Sequence, residues 1–442
     1  MSPRSMARAG TTLVAAALLL TSTACSGGGT TPSGSTSAAP ASSGPAAPAT
    51  IGLLGPEDPK TFAPLITAFE AKYPTYTVKY TQVPFDQLNS TIESRVGAKD
   101  TTVDVYTVDQ PRVAQLAAKG FLEDLSDLKD KTKAATSPAQ YEVNLFRDKL
   151  WALPIWNSTQ LMFVNKTALA KAGITPPSTD PAQRWTWEQT VEAAKKAQAA
   201  GTQWGLLLEQ TEYYYQLQPL MASLDGGTGI TGDDALTPAV TTDGWNKAMQ
   251  WYGKLFSDKL SPRGVGSFET SPLFNDGKLA FFVGGPWDVG GFAKSKIDWS
   301  IAPMPYFAGG KQVTPTGSWS WGINPASKNK DAARALIEFA ALDAAGNLAS
   351  TEAQTIIPAN TEAAKQYLPK LEALAGAKSA GVAALIEHEV AQTAVARPTS
   401  VGYVQFEEVL HKAFADIRNG SEPVARLKQA ATQLDEAWKP LR

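Results

Sequence analysis

The sequence predicts an α/β fold with largely parallel sheets, because short apolar runs alternate with amphipathic helical stretches from residue 51 onward. A second observation is an N-terminal segment laid out like a secretory signal. A third is the near absence of cysteine and histidine. Residues 51–54 read as a strand, followed by the loop Gly55-Pro56-Glu57-Asp58-Pro59. Phe62, Leu65, Ile66 and Phe69 then stand at i, i+3, i+4 and i+7 of a helix that Pro74 ends. Residues 75–80 alternate as a second strand, 88–96 suggest a helix and 103–108 a third strand. Pro111 opens the next helix and Gly120 closes it. Thr186-Trp187-Glu188-Gln189 has capping-box spacing and starts an alanine-rich helix reaching about Ala200. Asn329 stands as N-cap of a helix running through Ala340. The last hundred residues read mostly as helix, broken near Pro358, Pro398 and Gly420-Ser421. No internal repeat is visible.

At about 150 residues per domain, 442 residues make two or three domains with ample core. The chain is 43% hydrophobic and 19% charged, as in a globular protein, with Lys+Arg 40 against Asp+Glu 42. No basic cluster is present, so no nucleic-acid partner is expected. One cysteine, Cys25, and two histidines leave no intramolecular disulfide, no cysteine- or histidine-rich zinc site and no Cys/His dyad. Neither a metal nor another cofactor is expected.

Residues 1–24 carry Arg4 and Arg8, an apolar run over 13–20, and small residues at 21–24. This is a signal-peptide layout, too short for a spanning helix. Cys25 directly follows Ala24 and resembles the cysteine of a bacterial lipobox, with Ser22 where leucine is usual. Lipidation at Cys25 would make it the first mature residue. Residues 25–50 are rich in Ser, Gly, Thr, Ala and Pro and uncharged, which predicts a flexible tether. The expected location is the outer face of the cell membrane, held by lipid alone.

Several segments together resemble the extracellular solute-binding proteins of ABC transporters, in the carbohydrate group that includes maltose-binding protein. They include Phe69-Glu70-Ala71-Lys72-Tyr73-Pro74, Asp104-Val105-Tyr106 and Gly120-Phe121-Leu122-Glu123-Asp124-Leu125. Leu153-Pro154, Phe163-Val164-Asn165-Lys166 and Ala172-Gly173-Ile174 follow in order. The most specific are Phe274-Asn275-Asp276-Gly277-Lys278-Leu279-Ala280, Gly285-Pro286-Trp287 and Ala302-Pro303-Met304-Pro305. The resemblance implies a periplasmic-binding-protein-like fold, with two α/β lobes, a hinge and an interlobe ligand cleft. It places an N-terminal lobe over 51–153 and 303–347, and a C-terminal lobe over 154–302 and 348–442.

A sugar presents apolar C–H faces and a ring of hydroxyls, so its site needs aromatic plates and hydrogen-bonding groups. Trp287 matches the position of a family stacking tryptophan, with a core role as the alternative. Trp156 and Asn157 fall in the first crossover. Tyr213 and Tyr215 follow a strand and precede a helix, with an aromatic shelf on that helix as the alternative. Trp319 and Trp321 share one face of an extended segment, where core packing and ligand stacking both fit. Glu57 and Asp58 follow one strand, and Asp109 and Gln110 end another, where ligands of open α/β sheets bind. Helix capping by Asp109 and solvated-turn roles for Glu57 and Asp58 are the alternatives. Asp288 follows Trp287. Arg397 lies in a segment that borders the cleft in the family, with a surface salt bridge as its competing reading. Ser158 replaces the acidic residue the family places just after the first crossover turn.

These readings combine into a lipid-anchored, monomeric receptor that captures a neutral mono- or oligosaccharide unchanged and delivers it to ABC permease subunits. Alternatives are a receptor of the same build for a polyol phosphate, peptide or polyamine, and a secreted glycoside hydrolase, which would need two carboxylates flanking a glycosidic oxygen.

Overall fold

A computed structural model describes residues 47–442, Phe268 excepted. The signal segment, Cys25 and the tether up to residue 46 lie outside the described residues. Among the described residues no helix is long and apolar enough to cross a membrane.

Two sheets organise the described chain. The first has the order Tyr76–Gln82, Ala49–Gly55, Val105–Asp109, Trp319–Ile323 and Leu153–Pro154. The second runs Trp299–Pro303, Leu161–Asn165, Leu279–Gly284 and Trp204–Leu208. Both are mixed rather than largely parallel. Ala49–Gly55 pairs in parallel with its two neighbours, while Trp319–Ile323 lies antiparallel to both of its own. In the second sheet only the Leu279–Gly284 and Trp204–Leu208 pair is parallel. The antiparallel members sit next to the crossings between the two sheets, where the chain enters without the helix that a parallel connection requires.

The inner strands are largely apolar because both faces are covered, whereas the edge strand Tyr76–Gln82 is mostly polar and buries only Tyr76. Ile51 and Leu53 enter one core cluster with Phe62, Leu65 and Phe69, while Leu54 points into another with Leu88, Ile92 and Val96. Phe281 and Val283 likewise face one way, with Trp187 and Trp245, and Phe282 the other, with Phe163 and Phe292. The helices follow the sequence pattern closely. Pro59–Lys72 buries Phe62, Leu65 and Phe69, and Asp58 caps it by accepting from the Lys60 N–H at 2.9 Å. Trp187–Ala199 has the full capping box, Thr186 Oγ1 accepting from Gln189 N and Gln189 Oε1 from Thr186 N. Asn329 occupies the N-cap position of Lys330–Leu342 without a capping bond. Its side chain instead donates to the Thr50 carbonyl at 3.1 Å and to Asp104.

The chain passes between the sheets three times. The first passage lies within 155–160, where Trp156–Asn157 pairs with Ile357–Pro358 of the third passage. For the second passage, the family resemblance gave 303–347 to the N-terminal lobe. Met304 and Phe307, however, pack into the core with Trp187 and Trp245. Thr314–Thr316 pairs with Ala394–Ala396, and the first sheet is rejoined only at Trp319. We therefore place this passage within 304–318. The C-terminal helices Tyr403–Arg418 and Pro423–Trp438 pack on the second lobe through Phe406, Leu410, Leu427 and Trp438.

Candidate functional site

Four strands end toward one cavity of about 320 Å³. From the first sheet, Ala49–Gly55 leads to Glu57 and Val105–Asp109 ends at Asp109. From the second, Trp204–Leu208 leads to Glu209 and Gln210, and Leu279–Gly284 leads to Trp287. This is the carboxyl-end arrangement that open α/β sheets use for ligands. Phe85, Tyr213, Tyr215, Trp319 and Glu407 complete the walls, with Trp156, Ser158, Gln354 and Ile356 from the crossing segments and Arg397 from the C-terminal part.

The aromatic side chains are held by specific contacts. The Trp287 and Tyr215 ring centroids lie 6.3 Å apart. Trp287 Nε1 donates to both oxygens of Glu209 at 2.9 Å, and its carbonyl accepts from Thr355 Oγ1 at 2.9 Å. A Cβ at Gly285 would stand 2.3 Å from the Trp287 ring, so glycine is the residue that lets the indole fold back over the chain. Trp156 donates from Nε1 to the Ser350 carbonyl at 3.1 Å and stacks on Phe62 with 5.7 Å between centroids. The Tyr215 hydroxyl donates to Ser158 Oγ at 2.8 Å, and the Arg397 guanidinium lies over the Tyr215 ring at 5.4 Å.

The charged groups fall into two kinds. Arg397 donates to both Asp109 oxygens, at 2.9 and 2.5 Å, in the bidentate geometry that suits guanidinium. Arg112 pairs with Glu407 and stands 3.8 Å from Asp109. By contrast, Glu57 and Glu209 meet no cation within 4 Å among the described residues. Glu57 accepts from Gln354 Nε2. Glu209 is 5% exposed, and burial, with the Asp288 charge adding to it, holds its carboxyl well above the usual carboxylate range.

Burial also pushes Glu57 from its ordinary 4.5 up to about 7. Between those values the native chain keeps a proton that the unfolded chain releases, so this group's contribution to stability falls as pH rises through that window. The neutral mimic Glu57→Gln is expected to melt with the parent at about pH 4 and above it at about pH 8, followed by calorimetry. A melting difference that is the same at both pH values refutes the linkage.

Of the residues expected at the site from sequence, Glu57, Asp109, Trp156, Tyr213, Tyr215, Trp287, Trp319 and Arg397 line the cavity. The remaining five do not. Asp58 is the exposed cap already described. Gln110 is buried, accepting from Ser318 N at 2.6 Å and donating to Gln140 at 2.8 Å. Asn157 Oδ1 accepts from Gln140, Thr316 and Ser158, which ties the crossing strands together. Asp288 accepts from Ser271 Oγ and Gly285 N and so braces the turn that carries Trp287. Trp321 is core, 5.2 Å from Phe62 between centroids. Asp109 makes no helix-cap bond, and Arg397 forms a buried pair rather than a surface one. Sequence reasoning missed Phe85, Glu209, Gln210, Gln354, Ile356 and Glu407. Glu209 follows an apolar strand just as Glu57 nearly does, which was the available signal.

A family model described as bacterial extracellular solute-binding protein matches residues 55–347. The chain belongs to that family. This solute-binding protein is 26% identical over 285 residues to a galactooligosaccharide-binding protein of Bacillus subtilis, covering 62% of this chain and 64% of the relative. It is 26% identical over 327 residues to a mannitol-binding protein of Pseudomonas aeruginosa, covering 71% and 73%. Its fold matches an ABC substrate-binding protein of Listeria monocytogenes solved with cycloalternan, at TM-score 0.77 and 19% identity, over 88% of this chain and 98% of the other. The solute-binding protein therefore has the periplasmic-binding fold, two α/β lobes about an interlobe cleft.

Proposed function

We propose that this solute-binding protein captures a mono- or oligosaccharide between its lobes and hands it, unchanged, to an ABC permease from a lipid anchor at Cys25. The carrying observation is the pairing, in one cavity, of the Trp287, Trp156, Trp319 and Tyr215 rings with the carboxyls of Glu57 and Glu209. Aromatic faces cover sugar C–H surfaces, and buried carboxyls bind hydroxyls. The name of one relative, a galactooligosaccharide-binding protein, favours the same ligand class. Hinge closure would couple capture to delivery, because ligand stabilises the closed form only by its greater affinity for it.

A thermal-shift screen of the folded chain against mono- and oligosaccharides, polyols, amino acids and polyamines tests the assignment. At least one saccharide is expected to raise the melting temperature in a concentration-dependent manner. A shift with a non-sugar metabolite and none with any saccharide would overturn it. Retention in the detergent phase by the parent, and its loss in Cys25→Ala, is the expected sign of the anchor.

A further inference from the structure

We propose that the preferred ligand carries a protonated amine: a saccharide with a basic nitrogen, held by Glu209 and Glu57 within the aromatic walls of the cavity. The inference rests on the carbohydrate reading above and narrows it. The sequence suggested a neutral ligand because no loop shows a charge cluster. Folding creates an imbalance that no loop displays by itself.

The cavity's charges can be balanced pair by pair. Arg397 is matched by Asp109 through two hydrogen bonds, and Glu407 by Arg112. Two carboxyls are left over, Glu57 and Glu209, and both line the same cavity. They flank one wall. Glu209 takes the Trp287 N–H, the Trp287 carbonyl takes the Thr355 hydroxyl, and the neighbouring Gln354 donates to Glu57.

Glu209 has four acceptor sites on its two oxygens, and the single Trp287 N–H is shared between them. No cation pairs with it: the charge acting on it is that of Asp288, itself turned toward Ser271 and Gly285, and the cavity's Arg397, over the Tyr215 ring, is held by Asp109. Tyr80, which donates to the Glu57 carbonyl, and Asp58 likewise bring no positive charge to Glu57.

A buried carboxyl without a cation has two ways to avoid the cost of its charge: it stays protonated, or a ligand brings the cation. An ammonium group gains on both counts here. It makes charge-assisted hydrogen bonds with the carboxylate and sits against aromatic faces that attract cations. A neutral sugar can use only the protonated or hydroxyl-bonded form. Binding an amine near neutral pH should therefore release a proton from the site, whereas binding its neutral counterpart should not.

The test compares matched pairs by isothermal titration at about pH 7: glucose with glucosamine, galactose with galactosamine, mannose with mannosamine, and cellobiose with the β-1,4 glucosamine disaccharide. In at least one pair the amine is expected to bind about tenfold tighter than its neutral partner. Repeating that titration in buffers of different ionisation enthalpy should show proton release for the amine alone. Glu209→Gln or Glu57→Gln should erase the preference, and two variants guard against one failing to fold. If neutral sugars bind and no amine is preferred, the inference falls while the carbohydrate reading stands. If no member of any pair binds, the inference falls and the carbohydrate reading is decided by the thermal-shift screen. A preference that survives in both variants removes the carboxyls from amine recognition and overturns the proposal.

Discussion

Arg184→Ala is expected to cost about 3–5 kcal/mol of stability, among the largest single effects available in this chain. The Arg184 and Glu389 side chains are 1% and 0% exposed, with 2.6 Å between Nη2 and Oε1. Arg184 Nη1 also donates to the Met304 carbonyl at 2.8 Å, and Thr393 donates to Glu389. The alanine variant would strand a buried carboxylate beside a void, and both consequences act in the same direction. The pair also fastens the loop ahead of Trp187–Ala199 to the π-helical turn Glu389–Thr393, which leads through Ala394–Ala396 to Arg397. Urea unfolding should show a lower midpoint with an unchanged slope. The double variant Arg184→Met with Glu389→Leu should regain most of the loss, since apolar replacement removes both desolvated charges together. A loss below about 1 kcal/mol in the single variant would show that the pair is not a determinant of stability.

The second large effect concerns affinity. Trp287→Ala is expected to weaken binding of any saccharide that raises the melting temperature by about 10- to 100-fold, the worth of an aromatic plate of this area. Trp287 is only partly buried and sits on a turn braced by Asp288, so the fold should persist. Trp287→Phe separates two contributions. It keeps a ring but removes the N–H that Glu209 accepts, and an intermediate loss is the expected result. Unchanged titration isotherms for Trp287→Ala would remove this residue from the site.

Much of the fold was visible in the sequence because its signals are local. The periodicity of Phe62, Leu65 and Phe69, the capping box at Thr186 and the glycine stop at Gly120 each depend on a few neighbouring residues. What the sequence could not show depends on residues far apart in the chain. Strand direction is one example: Trp319–Ile323 carries no mark of running opposite to Val105–Asp109. The point at which the chain leaves the second lobe is another, since it follows from where Met304 and Phe307 find a core.

The site divides along the same line. Strand-end positions gave Glu57 and Asp109, because that geometry is written in strand and loop boundaries, while Trp287 came from the family resemblance. Trp319 and Trp321 look equivalent in sequence, yet one lines the cavity and the other packs on Phe62, because covering of the two sheet positions differs. Gln110 and Asn157 are polar residues beside cavity residues, and their hydrogen bonds turn inward to hold the crossings. The mutual pairing of Asp109 and Arg397, 288 residues apart, has no local trace at all.

The antiparallel seam between Val105–Asp109 and Trp319–Ile323 has a consequence for how the molecule is made. Trp319 follows Gln110 by 209 residues, so the first sheet cannot be finished until most of the chain exists. Closing so long a loop is entropically costly, and folds dominated by such distant pairings form slowly. The second lobe waits longer still, because Phe406 and Trp438 belong to its core. During synthesis the early strand Val105–Asp109 therefore persists as an uncovered edge, exposed to mispairing with other chains. Both lobes mature late, the second after the first, and no N-terminal fragment ending before residue 319 contains a finished one.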